Sequence, residues 1–203
     1  MLSVFTTHVH SPLTLPDIVI RLLSVVALIL LNAFFVTVEF SIVSVRRSRI
    51  NQLVSAGDTQ AQTVQKLQQK LNSLLSTTQL GITLSSLALG RIGEHTMAAL
   101  VIHWFAQLPV SERTADFLAL SAALPVAFLL LAYLQIVLGE LCPKSVALRH
   151  PESLARILGP PSLTIAKLLN PFFWLLNQST SLLLSLLGVI VNSADNDCRV
   201  TPE

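Results

Sequence analysis

Two long stretches of this chain contain no charged residue, residues 22–38 and residues 117–138. Each approaches or exceeds the roughly 20 apolar residues that a helix needs to cross a bilayer. Residues 17–21 extend the first stretch, because the long side chain of Arg21 can carry its charge to the membrane surface. Charged residues make up only 12% of the chain, against about 25% in soluble domains. The sequence therefore predicts an all-α integral membrane protein, with the lipid bilayer as its surroundings.

Residues 71–90 form a third uncharged stretch, but this stretch is rich in hydroxyl and amide side chains. Arg91 and Glu94 follow it, and an apolar run resumes over residues 96–108. We interpret this region as a transmembrane helix broken into two pieces, since irregular backbone at membrane depth is tolerated where it lines a cavity. The chain then has three transmembrane helices, of which this is the second.

The charges between these helices predict the side of the membrane on which each connection lies. The connector over residues 46–70 contains one acid, Asp58, and five basic residues: Arg46, Arg47, Arg49, Lys66 and Lys70. Basic residues also follow the third helix, whereas residues 109–116 contain a single one. Because basic loops stay in the cytoplasm, we expect the connector and the C-terminal tail inside, and residues 1–16 outside the cytoplasm.

Residues 168–194 are also uncharged, and hydropathy alone would make them a fourth transmembrane helix. Their polar side chains recur at helical spacing, however, and form a single stripe. We interpret the segment as an amphipathic helix in the membrane interface, approached through a stretch that Pro160, Pro161 and Pro171 interrupt. The alternative, a fourth transmembrane helix, would place the tail outside the cell.

The predicted membrane domain covers residues 17–194, and residues 195–203 are expected to begin a cytoplasmic linker. Thr201, Pro202 and Glu203 form a pattern that is typical of a helix start. This pattern indicates a membrane module from a longer protein, with a naturally short chain as the alternative.

Several classes of function are not indicated by the sequence. The formal charge of +2 is too small and too dispersed to predict a nucleic-acid partner. Cys142 and Cys198 stand far apart without histidines at metal spacing, so neither a zinc site nor a disulfide framework is predicted. Without a nucleophile paired to a base, or a phosphate-binding loop, we expect the chain not to be an enzyme.

The predicted third transmembrane helix, which begins at residue 117, ends in the sequence IVLGELCPKSVAL, residues 136–148. Pro143 has no N–H to donate to the carbonyl of Gly139, four residues earlier, and its ring pushes that carbonyl aside. A backbone oxygen therefore becomes available beside the Glu140 carboxylate, and glycine lets the backbone distort there. The sequence predicts a kink of the third helix at Pro143 and two hard oxygen ligands at one level.

A carboxylate in a membrane domain requires a cation, a proton or water, since an ionised residue costs about 2.5–3.5 kcal/mol there. Hard oxygens suit Mg²⁺ or Na⁺, and Mg²⁺ needs only one or two carboxylates among about six oxygens. We expect the polar second helix to add neutral groups near Gly81 and Thr83, and Glu39 to be a second acid within reach. The alternative is that Glu140 pairs with Lys144 at i+4 and that hydroxyl residues serve only in helix packing.

Three stretches of the chain occur in this order: LNAFFVTVEFSIVSVRRSRI, LSTTQLGITLSSLALGRIGE and VLGELCPKSVALRHPE. They resemble the transmembrane domain of the CorC/cyclin M (CNNM) family of magnesium transporters, particularly its bacterial hemolysin-C-like branch. The resemblance implies a homodimer in the bacterial plasma membrane, with three transmembrane helices and an amphipathic belt helix in each subunit. It also implies a cavity open to the cytoplasm, and cytoplasmic nucleotide-binding CBS domains beyond this chain.

In that family Mg²⁺ is exported, with Na⁺ entry as the proposed driving force. By resemblance, Glu140 and Gly139 match the third-helix part of the ion site, and Gly81 matches a glycine of the second helix. The chain departs from the magnesium-binding members at two places. Where those members have a serine just before the acid of the first helix, this chain has Val36 and Val38 around Glu39. Where they have an asparagine after the glycine of the second helix, it has Ile82. The resemblance implies a divalent-cation transport module, with a non-transporting regulatory or scaffold domain of the same fold as the alternative.

Overall fold

The computed structural model describes residues 15–106 and 123–186, which are helical apart from short connections. The α-helices are α1 (Leu15–Ser44), α2 (Arg47–Ser55), α3 (Thr59–Gln69), α4 (Leu71–Ala106), α5 (Ala123–Leu134), α6 (Cys142–Arg149) and α7 (Pro151–Leu186). Between α5 and α6, Gln135–Leu141 is a π-helix, called the π segment below. The prediction of an all-helical chain is confirmed, since neither described range contains a β-strand. Predictions for residues 1–14, 107–122 and 187–203 lie outside the described residues.

Two parts of the described chain are long and apolar enough to cross a membrane, Ile18–Ser44 and Pro125–Arg149. The first lies within α1, and the second begins in α5 and continues through the π segment to the end of α6. They cover residues 18–38 and 125–138 of the first and third apolar helices predicted from the sequence. Large apolar side chains remain exposed along both, for example Leu23, Leu30 and Phe128. These helices therefore present apolar surface that packing within the chain does not cover.

The second predicted helix is continuous, so the prediction that it is broken into two pieces is wrong. α4 runs without interruption for 36 residues, through Arg91 and Glu94. Its hydroxyl side chains do not require a break, because they donate to carbonyl oxygens four residues earlier in the same helix. These bonds, each 2.8 Å long, join Thr77 to Ser73, Thr83 to Gln79 and Thr96 to Ile92.

α7 is also continuous for 36 residues and contains Pro160, Pro161 and Pro171. The prediction that these prolines interrupt the approach to an amphipathic helix is therefore wrong. Proline fixes φ near its helical value, so a helix can continue through it with the loss of a hydrogen bond and some bending. Two hydroxyl groups next to the first prolines bond to nearby carbonyls, Ser162 to Gly159 at 2.8 Å and Thr164 to Pro160 at 3.3 Å.

The chain packs as two compact units. The described part of the first unit consists of residues 15–31, 85–106 and 123–138. Its core is apolar and contains Val25, Ile29, Leu89, Met97, Ala98, Val101, Ala127 and Leu131. Gly93 of α4 permits this packing, because a Cβ at that position would lie 2.6 Å from Leu131 Cδ2.

The second unit contains residues 32–84 and 139–186 of the described chain. Its apolar core joins the second half of α1 to α2, α3, α4 and α7. The core residues are Val38, Ile42, Val45, Ile50, Ala61, Val64, Leu67, Leu74 and Ala155. This unit includes every residue that the sequence singles out for a cation site.

The basic connector predicted between the first two long helices is itself helical and forms α2 and α3. Gly57 makes the turn between them with a φ of +89°, a value that glycine adopts without steric strain. Asp58 then caps α3, because its side chain accepts hydrogen bonds from two backbone N–H groups in the first turn. The same carboxylate pairs with Arg156 of α7. The connector is therefore fixed to α7 at the position where α3 begins.

Candidate cation site

The helix that carries the IVLGELCPKSVAL motif changes geometry immediately before Pro143. The π segment ends at Leu141, and α6 begins at Cys142 with Pro143 in its first turn. π-helical segments are rare and are frequently found at functional sites. The distortion expected at this proline takes the form of a π segment, and Gly139 and Glu140 lie within it.

The Gly139 carbonyl accepts a hydrogen bond from the side-chain amide of Asn32, with 3.3 Å between Nδ2 and the oxygen. Asn32 lies in α1, 107 positions from Gly139, and is only 3% exposed. Gly139 is the buried residue of the π segment. A carbonyl oxygen has two lone pairs, so this oxygen can accept a second bond in addition to the one from Asn32.

The Glu140 side chain is exposed, and Lys144, one turn later, is directed elsewhere. The Lys144 ammonium group lies over the Phe40 ring, 4.5 Å from its centroid. The ion pairs Arg49–Glu152 and Arg156–Asp58 connect α2 and the start of α3 to α7, and neither includes Glu140. The alternative in which Lys144 neutralises Glu140 does not describe this arrangement. The carboxylate is available to a cation or to water.

Glu39, the second predicted acid, is bonded to α4. The Thr78 hydroxyl donates to Glu39 Oε2 at 2.6 Å. Thr78 is 1% exposed, and its oxygen also lies 3.0 Å from the Leu75 carbonyl. The structure thus makes Thr78 a polar link between α1 and α4.

Gly81 and Thr83 both lie on α4 but have different surroundings. Gly81 is buried, and a Cβ at this position would overlap the Phe35 ring, so only glycine allows α1 to approach here. Thr83 is exposed, and its hydroxyl donates to the Gln79 carbonyl at 2.8 Å, which leaves the oxygen lone pairs available. Gly81 therefore has a packing role in addition to the site role predicted for it.

The positions that depart from the magnesium-binding pattern are apolar in their surroundings as well. Val36 and Val38 are 2% and 0% exposed, and Val38 belongs to the core of the second unit. Ile82 is half-buried on α4. Hydrocarbon thus occupies the places where the resemblance implies side-chain oxygens. A cation bound near Glu140 would depend more heavily on backbone carbonyls, hydroxyl groups and water.

The second unit brings its polar residues together in pairs. Asn32 lies beside the Gly139 carbonyl, and Glu39 lies beside Thr78. In the described ranges, no group of three or more His, Cys, Asp or Glu side chains could hold a metal ion.

Gln68, in the basic connector, has a role that sequence reasoning missed. Its side-chain amide donates to the carbonyls of Ile42 and Val45 at 3.1 and 3.0 Å, and the residue is 7% exposed. Carbonyls at the end of a helix lack N–H donors from a following turn. Gln68 supplies those donors at the end of α1. No local pattern identifies it, because glutamine in a polar helical segment is ordinarily solvated.

Comparison with known proteins gives a consistent result. Residues 23–203 match the family model described as the cyclin M transmembrane N-terminal domain (CNNM). The UPF0053 protein YhdP of Bacillus subtilis is 37% identical over 171 residues, which cover 84% of this chain and 38% of the relative. The UPF0053 protein YhdT of the same bacterium is 39% identical over 173 residues, with 85% and 37% coverage.

A relative from another bacterium is similar to the same extent. The uncharacterized protein Rv1841c of Mycobacterium tuberculosis is 38% identical over 173 residues, which cover 85% of this chain and 48% of the relative. The chain thus spans less than half the length of each of these three relatives. The family model covers most of the chain, and it agrees with the apolar helices and with the motifs from which the resemblance was drawn. This chain is a membrane protein and belongs to the cyclin M (CNNM) transmembrane-domain family.

Proposed function

We propose that this chain is the membrane module of a CorC/CNNM-type transporter that moves a divalent cation, Mg²⁺. The observation that carries the proposal is the π segment, which holds the adjacent Gly139 carbonyl and Glu140 carboxylate in a largely apolar helix. Membership of the cyclin M family supports it. The proposed activity is transport without covalent chemistry, so the chain is not an enzyme.

In this proposal Glu140 supplies the charge that attracts the cation, and the Gly139 carbonyl supplies a neutral oxygen. Mg²⁺ binds about six oxygens at 2.0–2.1 Å and usually keeps several waters. Gly81, Thr83 and Glu39 are the proposed sources of further oxygens. Because an uncompensated carboxylate in a membrane domain is costly, cation binding at Glu140 also removes that cost.

We assign three transmembrane helices to each subunit: α1, α4, and the helix that runs from α5 through the π segment to α6. α7 is the proposed amphipathic belt helix in the membrane interface, which its exposed apolar side chains Leu168, Trp174 and Leu182 support. The basic residues of α2 and α3 support a cytoplasmic connector and an N-terminus outside. The bacterial relatives support the bacterial plasma membrane as the location.

Assembly and coupling complete the proposal and rest on the family resemblance. The module forms a homodimer, and each subunit is joined to cytoplasmic CBS domains in the full-length protein. Na⁺ entry drives Mg²⁺ export through alternating access around Glu140. The greater length of the relatives is consistent with further domains in proteins of this type.

A second function is favoured by the apolar residues near the candidate site. Buried Val36 and Val38 and half-buried Ile82 replace the polar groups of magnesium-binding members. A chain that lost those ligands could keep the fold and serve as a non-transporting regulatory or scaffold domain. The retained GELCPK motif, with its carboxylate and π segment, favours transport over this alternative.

Equilibrium cation binding to the purified protein in detergent separates the two functions. Binding of Mg²⁺, Mn²⁺, Ca²⁺ and Na⁺ is measured by titration for the wild type and for Glu140→Gln. Glu94→Gln is the matched control, because it makes the same chemical change at an exposed carboxylate of α4, in the other compact unit. All three proteins are first compared by thermal unfolding to show that they are folded.

Transport predicts saturable Mg²⁺ binding that Glu140→Gln abolishes and Glu94→Gln leaves unchanged. The regulatory alternative predicts a folded wild type that binds none of the divalent cations. Equal binding by wild type and Glu140→Gln would place the cation elsewhere and contradict the proposed site.

A further inference from the structure

We infer that Asn32 is a positioning residue of the cation site, because its side-chain amide fixes the Gly139 carbonyl that serves as a ligand next to Glu140. The inference rests on the proposed function and extends it to a residue outside the ligand set. Asn32 acts through Gly139 and does not touch the cation.

The burial of Asn32 is the first argument. Its side chain is 3% exposed in α1, within an otherwise apolar part of the chain. Burying an amide group in apolar surroundings is unfavourable unless the amide is hydrogen-bonded. Its retention there requires a partner, and the Gly139 carbonyl at 3.3 Å is one.

The identity of that partner is the second argument. In an α-helix the Gly139 carbonyl would accept from residue 143, but Pro143 has no N–H to donate. The Asn32 amide thus bonds to a carbonyl that has lost its α-helical donor to the proline.

The position of Asn32 on its own helix is the third argument. Asn32 and Glu39 are seven residues apart, close to two helical turns, so they lie on one face of α1. Glu39 accepts from Thr78 of α4, and Asn32 donates to the π segment. One face of α1, which carries Glu39 itself, therefore makes polar contacts with the two other elements that carry proposed ligands.

A fixed carbonyl matters more for Mg²⁺ than for a larger cation. Mg²⁺ demands nearly ideal octahedral geometry at 2.0–2.1 Å, whereas Ca²⁺ accepts 6–8 oxygens in flexible arrangements. If the Asn32 bond sets the direction of the Gly139 oxygen, its loss should weaken Mg²⁺ binding more than Ca²⁺ binding. General loosening of the fold would weaken both.

The test replaces Asn32 with Leu, which has a similar size and no hydrogen-bond donor. Partners of metal ligands typically contribute 10–100-fold to affinity, so Asn32→Leu should reduce Mg²⁺ affinity by about that factor and lower the Mg²⁺/Ca²⁺ affinity ratio. Ser86→Ala is the matched control, because it removes another helix-to-helix hydrogen bond, from Gln135 at 2.7 Å, without touching Gly139. The control should retain the wild-type ratio.

A second readout observes the carbonyl directly in the cation-free protein. Labelling with carbonyl-¹³C glycine and ¹⁵N glutamate selects two peptide bonds, Gly93–Glu94 and Gly139–Glu140. Glu94→Gln removes the first signal and so identifies both. Asn32→Leu should move the Gly139 carbonyl resonance and leave that of Gly93 in place.

Each outcome bears on the inference. Wild-type Mg²⁺ affinity and an unmoved Gly139 resonance in folded Asn32→Leu would overturn the inference and leave the proposed function intact. A wild type that binds no divalent cation would overturn both. If Asn32→Leu does not fold, Asn32→Thr replaces it, since its hydroxyl can bond to the carbonyl four residues earlier in α1. The same results are expected for that variant.

Discussion

α1 contributes to both compact units, but its two halves make different contacts. Val25 and Ile29 of α1 join the apolar core of the first unit, whereas Asn32 and Glu39 of the same helix make polar contacts in the second. Apolar packing is non-directional, but a hydrogen bond constrains both distance and angle. Both units have an apolar core, and the Gln135–Ser86 hydrogen bond lies in the first unit. The difference therefore concerns α1, whose second half is positioned by directional contacts as well as by packing.

Removing Gln68 should have the largest effect on stability, because this side chain serves two acceptors. Gln68→Leu withdraws both donors from the carbonyls of Ile42 and Val45. An unsatisfied buried acceptor costs roughly 1–3 kcal/mol, so the Tm of the protein in detergent should fall clearly, as measured by circular dichroism.

The control for this prediction lies one turn earlier in α3. The Gln65 amide bonds to Asn51 at an exposed site, so Gln65→Leu should change the Tm little. Equal Tm values for the two variants would show that water replaces the Gln68 hydrogen bonds. These bonds would then not contribute to the stability of the second unit.

Replacing one glycine in each unit with alanine compares how tightly the two units are packed. Gly81→Ala would place a Cβ against the rigid ring of Phe35 in the second unit, and overpacking of this kind typically costs about 1–3 kcal/mol. Gly93→Ala in the first unit meets the end of Leu131, a flexible side chain that can change rotamer. We expect a larger decrease in Tm for Gly81→Ala than for Gly93→Ala.

Gly90→Ala provides the reference for the glycine pair, since no atom lies within 4 Å of a Cβ at that exposed helical position. It should slightly stabilise α4, because alanine is the better helix former. If Gly93→Ala proved as destabilising as Gly81→Ala, the first unit would be packed as rigidly as the second.

The sequence predicts the features that depend on neighbouring residues and misses those that depend on distant ones. Charge-free stretches predicted the helices, and Pro143 predicted a distortion in the third of them, because these features depend on neighbouring residues alone. The partner of the Gly139 carbonyl could not be predicted, since Asn32 lies 107 positions away. The continuity of α4 was missed because its hydroxyl residues were interpreted as lining a break, whereas Thr77 and Thr83 bond within their own helix.

Substitution of Asp58 should lower the Tm less than Gly81→Ala or Gln68→Leu does. Two variants separate its capping role from its ion pair. Asp58→Ala removes both the cap of α3 and the pairing with Arg156, and loss of a cap typically costs about 0.5–2 kcal/mol. Asp58→Asn keeps a capping oxygen and loses only the charge. Thermal unfolding should show a Tm decrease for alanine that asparagine largely avoids, and equal decreases would assign the stabilisation to the ion pair instead.

The smallest effect is expected for the exposed pair of Arg49 and Glu152, although its geometry is favourable. Arg49 Nε and Nη2 donate to the two carboxylate oxygens at 2.9 and 3.3 Å. The hydrogen bond that Arg49 donates to Glu152, followed by the negative charge of that carboxylate, raises the pKa of Arg49 above its ordinary value. Stability linked to a raised pKa is fully present below the unfolded-state value and is lost only as pH rises through the folded-state value. That range is strongly alkaline for arginine, so the contribution of Arg49 should not change around neutral pH.

Glu152→Gln tests this pair in the second unit against the buried polar contacts near it. Exposed ion pairs are screened by salt and contribute little, so the variant should lower the Tm slightly at low ionic strength and not at high ionic strength. Gln68→Leu should lower it equally at both, because its hydrogen bonds join uncharged, buried groups. A decrease in Tm that is the same at low and high ionic strength would contradict this prediction. It would show that the Arg49–Glu152 pair stabilises the contact between α2 and α7 as an unscreened interaction, as the Gln68 hydrogen bonds do between α1 and α3.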